Sequence, residues 1–273
     1  MIHPPSARAR SEEDLEVALA AARQGGTVVR EAFGRPVAPD FKGDVNPVTD
    51  ADRAAEEAIL EVLHRERPGD GVLAEEGGEG HPTSERIWIV DPLDGTVNFV
   101  HGIPQVAVSV ALWERGVPLV GVVLDPLRNE EFTAIAGLGA SLDGRRVEVS
   151  GETRLDHSLI VTGFPYDRRE RAAGYATTLG AVLAACQGVR RLGSAALDLA
   201  WVAAGRLDGY WEYGLKPWDA AAGLLLVTEA GGIATDVGGA DYLLDAVGVV
   251  AATPGVHRAL LTVVAANLPD HLR

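Results

Sequence analysis

The chain changes texture near Gly151, and that change restricts its fold more than any other feature. Before it, short β-rich segments follow one another closely: Gly71 to Glu75, Ile87 to Val90, Val106 to Trp113, Leu119 to Leu124 and Glu131 to Ile135, then a hairpin turning at Asp143-Gly144. Such spacing suits an antiparallel sheet. From Ser158 onward strands alternate with helices: a strand to Val161, a helix from Arg168 to Cys186, a strand to Leu192, a helix from Ser194 to Ala204, a strand from Tyr210 to Tyr213, a helix from Trp218 to Glu229, then a strand and a final helix from Pro254 to Ala266. Alternation of that kind builds a mixed or parallel sheet flanked by helices. Two helices lead the chain. The first, Ser11 to Phe33, opens with a Ser-x-x-Asp cap; the second, Thr49 to Arg67, opens with Thr-x-x-Asp and stops at Pro68-Gly69. The expected class is α/β with α+β layering, in an N-terminal half, 1–150, and a C-terminal half, 151–273, without a long linker. Halves joined so closely pack together, and the cleft between them is the natural place for a site.

Composition narrows the function. With 273 residues and 47% hydrophobic content the chain buries a sizeable core. No apolar run reaches the length of a membrane span, and the polar start from Met1 to Arg10 lacks an apolar signal segment, so a cytoplasmic protein is expected. The single Cys186 agrees with a reducing compartment, and its apolar Ala-Ala-Cys setting reads as core. Lys and Arg number 24 against 39 Asp and Glu, a net charge of −15 that repels nucleic acid and anionic membrane. Arg168-Arg169 and Arg190-Arg191 are too short to form a basic patch. An acidic chain that handles phosphate needs local positive charge, which bound cations supply.

One run gathers oxygen ligands. Trp88-Ile-Val-Asp-Pro-Leu-Asp-Gly-Thr-Val-Asn-Phe-Val-His-Gly102 sets Asp91 and Asp94 at the end of an apolar strand. Pro92 fixes its own φ and pushes Asp91 towards extended backbone, so the strand is expected to end there and the chain to turn. In such a loop the Leu93 carbonyl is free to act as a third ligand, and Gly95 lets the backbone approach an anion. A helix starting near Thr96 turns unpaired N–H groups towards a phosphate. Other acids accompany the pair: Glu75-Glu76 at a strand end, Asp219 at a helix start, and Asp52 in the first turn of the second helix. Each has an ordinary explanation alone. Asp-Pro and Asp-Gly are common turn dipeptides, Glu75-Glu76 reads as a solvated strand end, and Asp52 and Asp219 read as acids favoured by a helix dipole. Their combination is harder to explain that way. Carboxylates flanked by apolar strands and helices repel one another, and burying them unpaired costs several kcal/mol per ion. Divalent cations remove the conflict, and oxygen ligands without Cys or paired His favour Mg2+ or Mn2+ over zinc.

The run from Trp88 to Gly102, and a second from Trp218 to Gly232 (Trp-Asp-Ala-Ala-Ala-Gly-Leu-Leu-Leu-Val-Thr-Glu-Ala-Gly-Gly), resemble the two signatures of the inositol monophosphatase family, metal-dependent and lithium-sensitive phosphatases. The likeness extends from Lys42 through Val48-Thr-Asp-Ala-Asp52 and Ala74-Glu-Glu76 to Gly209-Tyr-Trp-Glu-Tyr-Gly214. It implies an alternating α-β-α-β-α sandwich, a homodimer, and an inositol-phosphate phosphatase, a phosphoric monoester hydrolase, holding two to three Mg2+ ions with Mn2+ as substitute.

Carried over residue by residue, the resemblance assigns Glu75, Asp91 and the Leu93 carbonyl to a first metal and Asp91, Asp94 and Asp219 to a second; a third, weaker ion shares Glu75. Asp52 and Thr96 correspond to the pair that orients the attacking water, with Glu75 assisting. The N–H groups of Gly95 and Thr96 correspond to the phosphate cradle, and Asp94, Ala195 and Glu212 to contacts with the polyol. A carboxylate at Glu212 accepts hydrogen bonds from two neighbouring hydroxyls, as a polyol ring requires; without the resemblance it reads as an exposed strand residue. Lys42 corresponds to a lysine on a mobile loop over the metals, one residue nearer Asp52 than in animal members. Gly77 stands where many members carry Ser. The implied reaction is direct in-line attack of a metal-activated water on a phosphate monoester, without a phosphoenzyme. The absence of G-x-x-x-x-G-K-[ST], H-E-x-x-H and G-x-S-x-G agrees. Inositol 1-phosphate is the favoured substrate. Two alternatives stay open: fructose-1,6-bisphosphatase or histidinol-phosphate phosphatase chemistry on the same metal core, and a non-catalytic role as a binding partner of the transcription machinery, which some bacterial family members fill.

Overall fold

The computed structural model describes residues 7–35, 40–41, 47–77, 84–244 and 246–272. Helices α1 (Ala7–Ala32) and α2 (Asp50–Glu66) come first, with the short paired strands β1 (Asp40–Phe41) and β2 (Pro47–Val48) between them. The Thr-x-x-Asp signal at α2 is a complete capping box: the Ala51 N–H donates to the Thr49 hydroxyl and the Thr49 N–H to the Asp52 carboxylate. Ala55, Ile59, Val62 and Leu63 then fall on its buried face. Helix α1 begins at Ala7, so Ser11 is inside it and is not its cap. The first turn is supported instead by Arg8 Nε donating to Glu12 four residues on, at 2.9 Å.

Among the described residues a seven-stranded sheet follows in chain order: β3 (Gly71–Ala74), β4 (Arg86–Asp94), β5 (Ala107–Glu114), β6 (Val117–Asp125), β7 (Glu130–Ile135), β8 (Gly139–Leu142) and β9 (Arg145–Val147), with a short helix α3 (Thr96–Val100) after β4. Its neighbours run antiparallel except β3 and β4, which are parallel. The expected antiparallel pattern fails only at this edge, where a long connection rather than a tight turn joins the strands. The β8–β9 turn carries φ of 51° at Asp143 and 74° at Gly144, the left-handed pair that an Asp-Gly hairpin adopts.

The second half adds β10 (Leu159–Thr162), α4 (Arg168–Ala185), β11 (Gly188–Arg190), α5 (Ala195–Ala203), β12 (Gly209–Tyr213), α6 (Pro217–Glu229), β13 (Ile233–Asp236), β14 (Gly248–Ala252) and α7 (Pro254–Ala266). Its sheet runs β11-β10-β12-β14-β13 and is mixed: β10 is parallel to β11 and β12, and β14 antiparallel to β12 and β13. Helices α1 and α2 cover one face of the large sheet, α5 and α6 lie between the sheets, and α4 and α7 cover the far face of the small one. This is an α-β-α-β-α sandwich with three apolar cores. Strand β5 shows why alternation is hard to see in such a chain: Val108, Val110 and Leu112 meet α1 and α2, while Ala107, Ala111 and Trp113 meet the layer between the sheets. Both faces are buried, so the strand is apolar throughout. Cys186 departs from expectation. It caps α4 at the rim of the outermost core and is half-buried, because the helix ends there. No helix among the described residues is long and apolar enough to cross a membrane.

Candidate active site

Strand β4 does not end at Asp91. It continues to Asp94, with Asp91 opposite Ser109 and Asp94 opposite Ala107, so three steps on β4 match two on β5. That extra residue is a bulge, and Pro92, which has no N–H for the ladder, is accommodated inside it. The irregularity has a chemical consequence. In a regular strand residues three apart point to opposite faces; here Asp91 and Asp94 border one cavity.

Gly95 follows in a left-handed conformation, φ 97°, and a Cβ there would lie 2.8 Å from the Gln105 carbonyl oxygen, so both backbone angle and space require glycine. Helix α3 then starts at Thr96, as expected. The Thr96 hydroxyl shares its hydrogen between Asp52 Oδ1 at 2.9 Å and the Leu93 carbonyl at 3.1 Å. The Leu93 oxygen is therefore not free, although a carbonyl has a second lone pair for another partner. Asp52 is both cap and hydrogen-bond partner of Thr96. Its Oδ2 accepts from the Thr49 N–H at 2.8 Å and hydroxyl at 2.5 Å, while Oδ1 holds Thr96. Burial raises this carboxyl, the hydrogen bonds from Thr49 and Thr96 oppose the rise, and the charge of Glu76 adds to it.

The ends of β3, β4 and α6 meet around a cavity of about 180 Å³ bordered by Glu75, Asp91, Leu93, Asp94, Thr96 and Asp219, with Tyr166, Lys216 and Trp218 at its rim. Burial pushes Asp91 well above the usual carboxylate range, and the charges of Glu75, Asp94 and Asp219 push it further. Asp219 rises for the same reasons, burial first and then Asp94. Asp94 rises through burial, moderated by Ser194, by the N–H groups of Ala196 and Ala195, and by Arg191.

Two buried carboxylates elsewhere are neutralised by arginine: Asp14 pairs with Arg67 at 2.9 Å and Arg86 at 2.8 Å, and Asp125 with Arg128 at 2.6 Å. Asp91, Asp94 and Asp219 form no ion pair among the described residues. Backbone groups orient them instead. Asp91 Oδ1 accepts the Leu93 N–H at 3.0 Å and Asp219 Oδ2 the Lys216 N–H at 2.7 Å, leaving the second oxygen of each without a hydrogen bond among the described residues. Asp94 Oδ2 takes the Ser194 hydroxyl at 2.6 Å and the Ala196 N–H at 2.7 Å, which ties β4 to the start of α5. This donor set suits a hard divalent cation. It is not a ready-made shell: no three acidic, His or Cys groups among the described residues are gathered to hold one ion.

A second cavity, about 320 Å³, adjoins the first through Asp94, Gly95, Thr96 and Asp219 and adds Ala195, Asp198, Arg191 and Glu212. Glu212 is buried in β12, not exposed. Tyr210 donates its hydroxyl to Oε2 at 2.7 Å, and burial raises the carboxyl to about 7. Gly163 makes the room, since a Cβ there would fall 2.0 Å from Oε2.

Residues 10–272 match the sequence model of the inositol monophosphatase family. The chain belongs to that family. It is 46% identical over 254 residues to an inositol-1-monophosphatase of Mesorhizobium japonicum, covering 92% of this chain and 95% of that protein. It is 44% identical over 262 residues to the Nus factor SuhB of Escherichia coli, covering 94% and 96%. Among solved structures, an inositol monophosphatase from Anabaena (Nostoc) matches with a TM-score of 0.85 at 39% identity, over 96% of this chain and 99% of that one. The suhB protein of Bartonella henselae matches with a TM-score of 0.88 at 40% identity, over 92% and 98%.

Within this inositol monophosphatase family member, Glu75, Asp91, Leu93, Asp94, Gly95, Thr96, Ala195, Glu212 and Asp219 border the two joined cavities, and Asp52 reaches them through Thr96. Lys42 lies outside the described residues. Residues at the cavities that escaped the sequence reading include Tyr166, Arg191, Ser194 and Asp198. An acid in the apolar run Ala195-Ala-Leu-Asp-Leu-Ala200 was a usable signal for Asp198. Tyr166, between β10 and α4, had none.

Proposed function

We propose that this family member is a divalent-cation-dependent phosphate monoester hydrolase, with inositol 1-phosphate as its substrate. One observation carries the reading: Asp91, Asp94 and Asp219 share a cavity without an ion-pair partner among the described residues, in a chain that pairs its buried Asp14 and Asp125 with arginine. Glu75, Asp91 and the Leu93 carbonyl would hold one Mg2+, and Asp91, Asp94 and Asp219 a second, with Glu75 also serving a weaker third; Mn2+ shares this preference for oxygen. When bound, the ions supply positive charge that acidifies water and takes up charge on the leaving oxygen.

The side chains of the chain itself direct the rest. Thr96 gives its hydrogen chiefly to Asp52, so its lone pairs accept a proton as water attacks phosphorus, and its own proton passes to Asp52. The new bond forms between water oxygen and phosphorus while the ester oxygen leaves and takes a proton from solvent. N–H groups of Gly95 and Thr96 hold phosphate oxygens, and Ala195 and Glu212 receive the polyol. A phosphate-release screen tests this with inositol 1-phosphate, fructose 1,6-bisphosphate and histidinol phosphate, after chelation and again with Mg2+. The expected result is Mg2+-dependent release, highest in kcat/KM for inositol 1-phosphate and suppressed by LiCl. Preference for another ester would reassign the substrate, and release indifferent to Mg2+ would overturn the reading.

A second role is favoured by the name Nus factor SuhB carried by relatives at 44% identity. We propose that the chain also binds the transcription machinery; capture of RNA polymerase by the tagged protein tests it. A homodimer is proposed as well, and sedimentation of the purified chain would reveal it.

A further inference from the structure

The larger cavity contains a carboxyl group that the mechanism above leaves without a task. Asp198 lies three residues after Ala195 in α5, so the two share a helix face. It is 1% exposed, borders the cavity beside Glu212 and Arg191, and its Oδ1 is enclosed with no hydrogen-bond partner among the described residues. Leaving such an atom unpartnered is unfavourable, and its neighbours Leu197 and Leu199 show that α5 accommodates fully buried aliphatic side chains on either side. Asp198 lines the cavity, so a partner would approach its carboxyl from that side.

The surroundings select the kind of partner. Asp94 and Glu212 repel an anion placed there, so a phosphate group belongs at the other end of the cleft. An apolar group would leave Oδ1 unsatisfied. Burial, with the charges of Glu212 and Asp94, raises the Asp198 carboxyl well above its ordinary range, against the pull of Arg191. In either protonation state a carboxyl oxygen accepts from a hydroxyl, and the protonated form also donates to one.

We propose that Asp198 is a specificity residue: beside Glu212 it hydrogen-bonds a hydroxyl of the substrate's alcohol portion and so selects phosphate esters of polyhydroxylated alcohols over esters of apolar or aromatic ones. This inference rests on the hydrolase reading of the adjoining carboxylate cavity and deepens it. The experiment compares wild type, Asp198→Ala and Asp198→Asn, full-length and loaded with Mg2+, on inositol 1-phosphate and p-nitrophenyl phosphate, with a thermal melt of each. Asp198→Ala is expected to lower kcat/KM for inositol 1-phosphate by about 10–100-fold, mainly through KM, while p-nitrophenyl phosphate changes less than about twofold and the melting temperature does not fall. Asp198→Asn, which keeps a donor and an acceptor, should restore most of the loss. Asp198→Leu serves the same comparison where the alanine variant does not fold. Equal change on both substrates, or none on either, would overturn the role of Asp198 and leave the hydrolase reading standing. Wild type that releases phosphate from neither substrate with Mg2+ would overturn the hydrolase reading, and this inference with it.

Discussion

Replacing Glu212 by Gln should change how stability depends on pH. The carboxylate is buried and its pKa lies at about 7 instead of 4.5, chiefly because burial disfavours the charged form. The folded protein therefore binds this proton more tightly than the unfolded chain. As pH rises from about 4.5 to about 7 the unfolded carboxyl ionises first, so stability falls across that window, and above it the full cost remains. At about 1.4 kcal/mol per pH unit, the interval corresponds to about 3 kcal/mol. A glutamine has the same shape, accepts the Tyr210 hydroxyl in the same way, and does not titrate. Urea unfolding of both proteins in chelator, at intervals from about pH 5 to about pH 8, gives the difference directly. Other raised acids such as Asp91 and Asp219 titrate in both proteins and largely cancel. The variant should gain on the wild type by about 3 kcal/mol as pH rises. Parallel curves would refute the reasoning, because they would mean that Glu212 ionises as it does in water.

Four further outcomes are expected. Asp91→Asn should reduce phosphate release to background in excess Mg2+ while the circular dichroism spectrum is kept, and the metal-free variant should melt higher, since a buried charge facing three others is gone. Thr96→Val should lower kcat by about 100-fold with little change in KM, because it removes the hydroxyl that relays a proton to Asp52. Gly95→Ala should cost about 1–3 kcal/mol in urea unfolding, from its φ of 97° and its contact with the Gln105 carbonyl. Mg2+ should raise the melting temperature of the wild type and not that of Asp91→Asn, by preferential binding to the folded state.

Local signals located most elements because their causes act within a few residues. The Thr49–Asp52 box, the Asp143-Gly144 turn, and the Pro residues opening α6 and α7 mark boundaries by their own backbone chemistry. The acids too were conspicuous, since carboxylates among apolar strands ask for a partner wherever they lie. At Pro92 local signals misled because of distant pairing, and at Leu93 because of a contact three residues on. Pro92 reads as a strand end, yet β5 offers Ala107 and Ser109 and so draws the chain on through a bulge to Asp94. Leu93 reads as an unengaged carbonyl, yet the hydroxyl of Thr96 curls back onto it.

Residue types and caps along the chain thus set which elements form and which groups carry charge. Packing of two sheets around α5 and α6 decided which of those charges became neighbours. Asp52, Asp91 and Asp219 stand on α2, β4 and α6, Glu75 directly follows β3, and no spacing rule relates them. Asp198 makes the same point: an acid in an apolar helix is visible in the text, but only the fold sets it beside Glu212 with an oxygen that no other described residue satisfies. Burial and juxtaposition are properties of the assembled layers, and it is these that raise a carboxyl's pKa and open a cavity beside it.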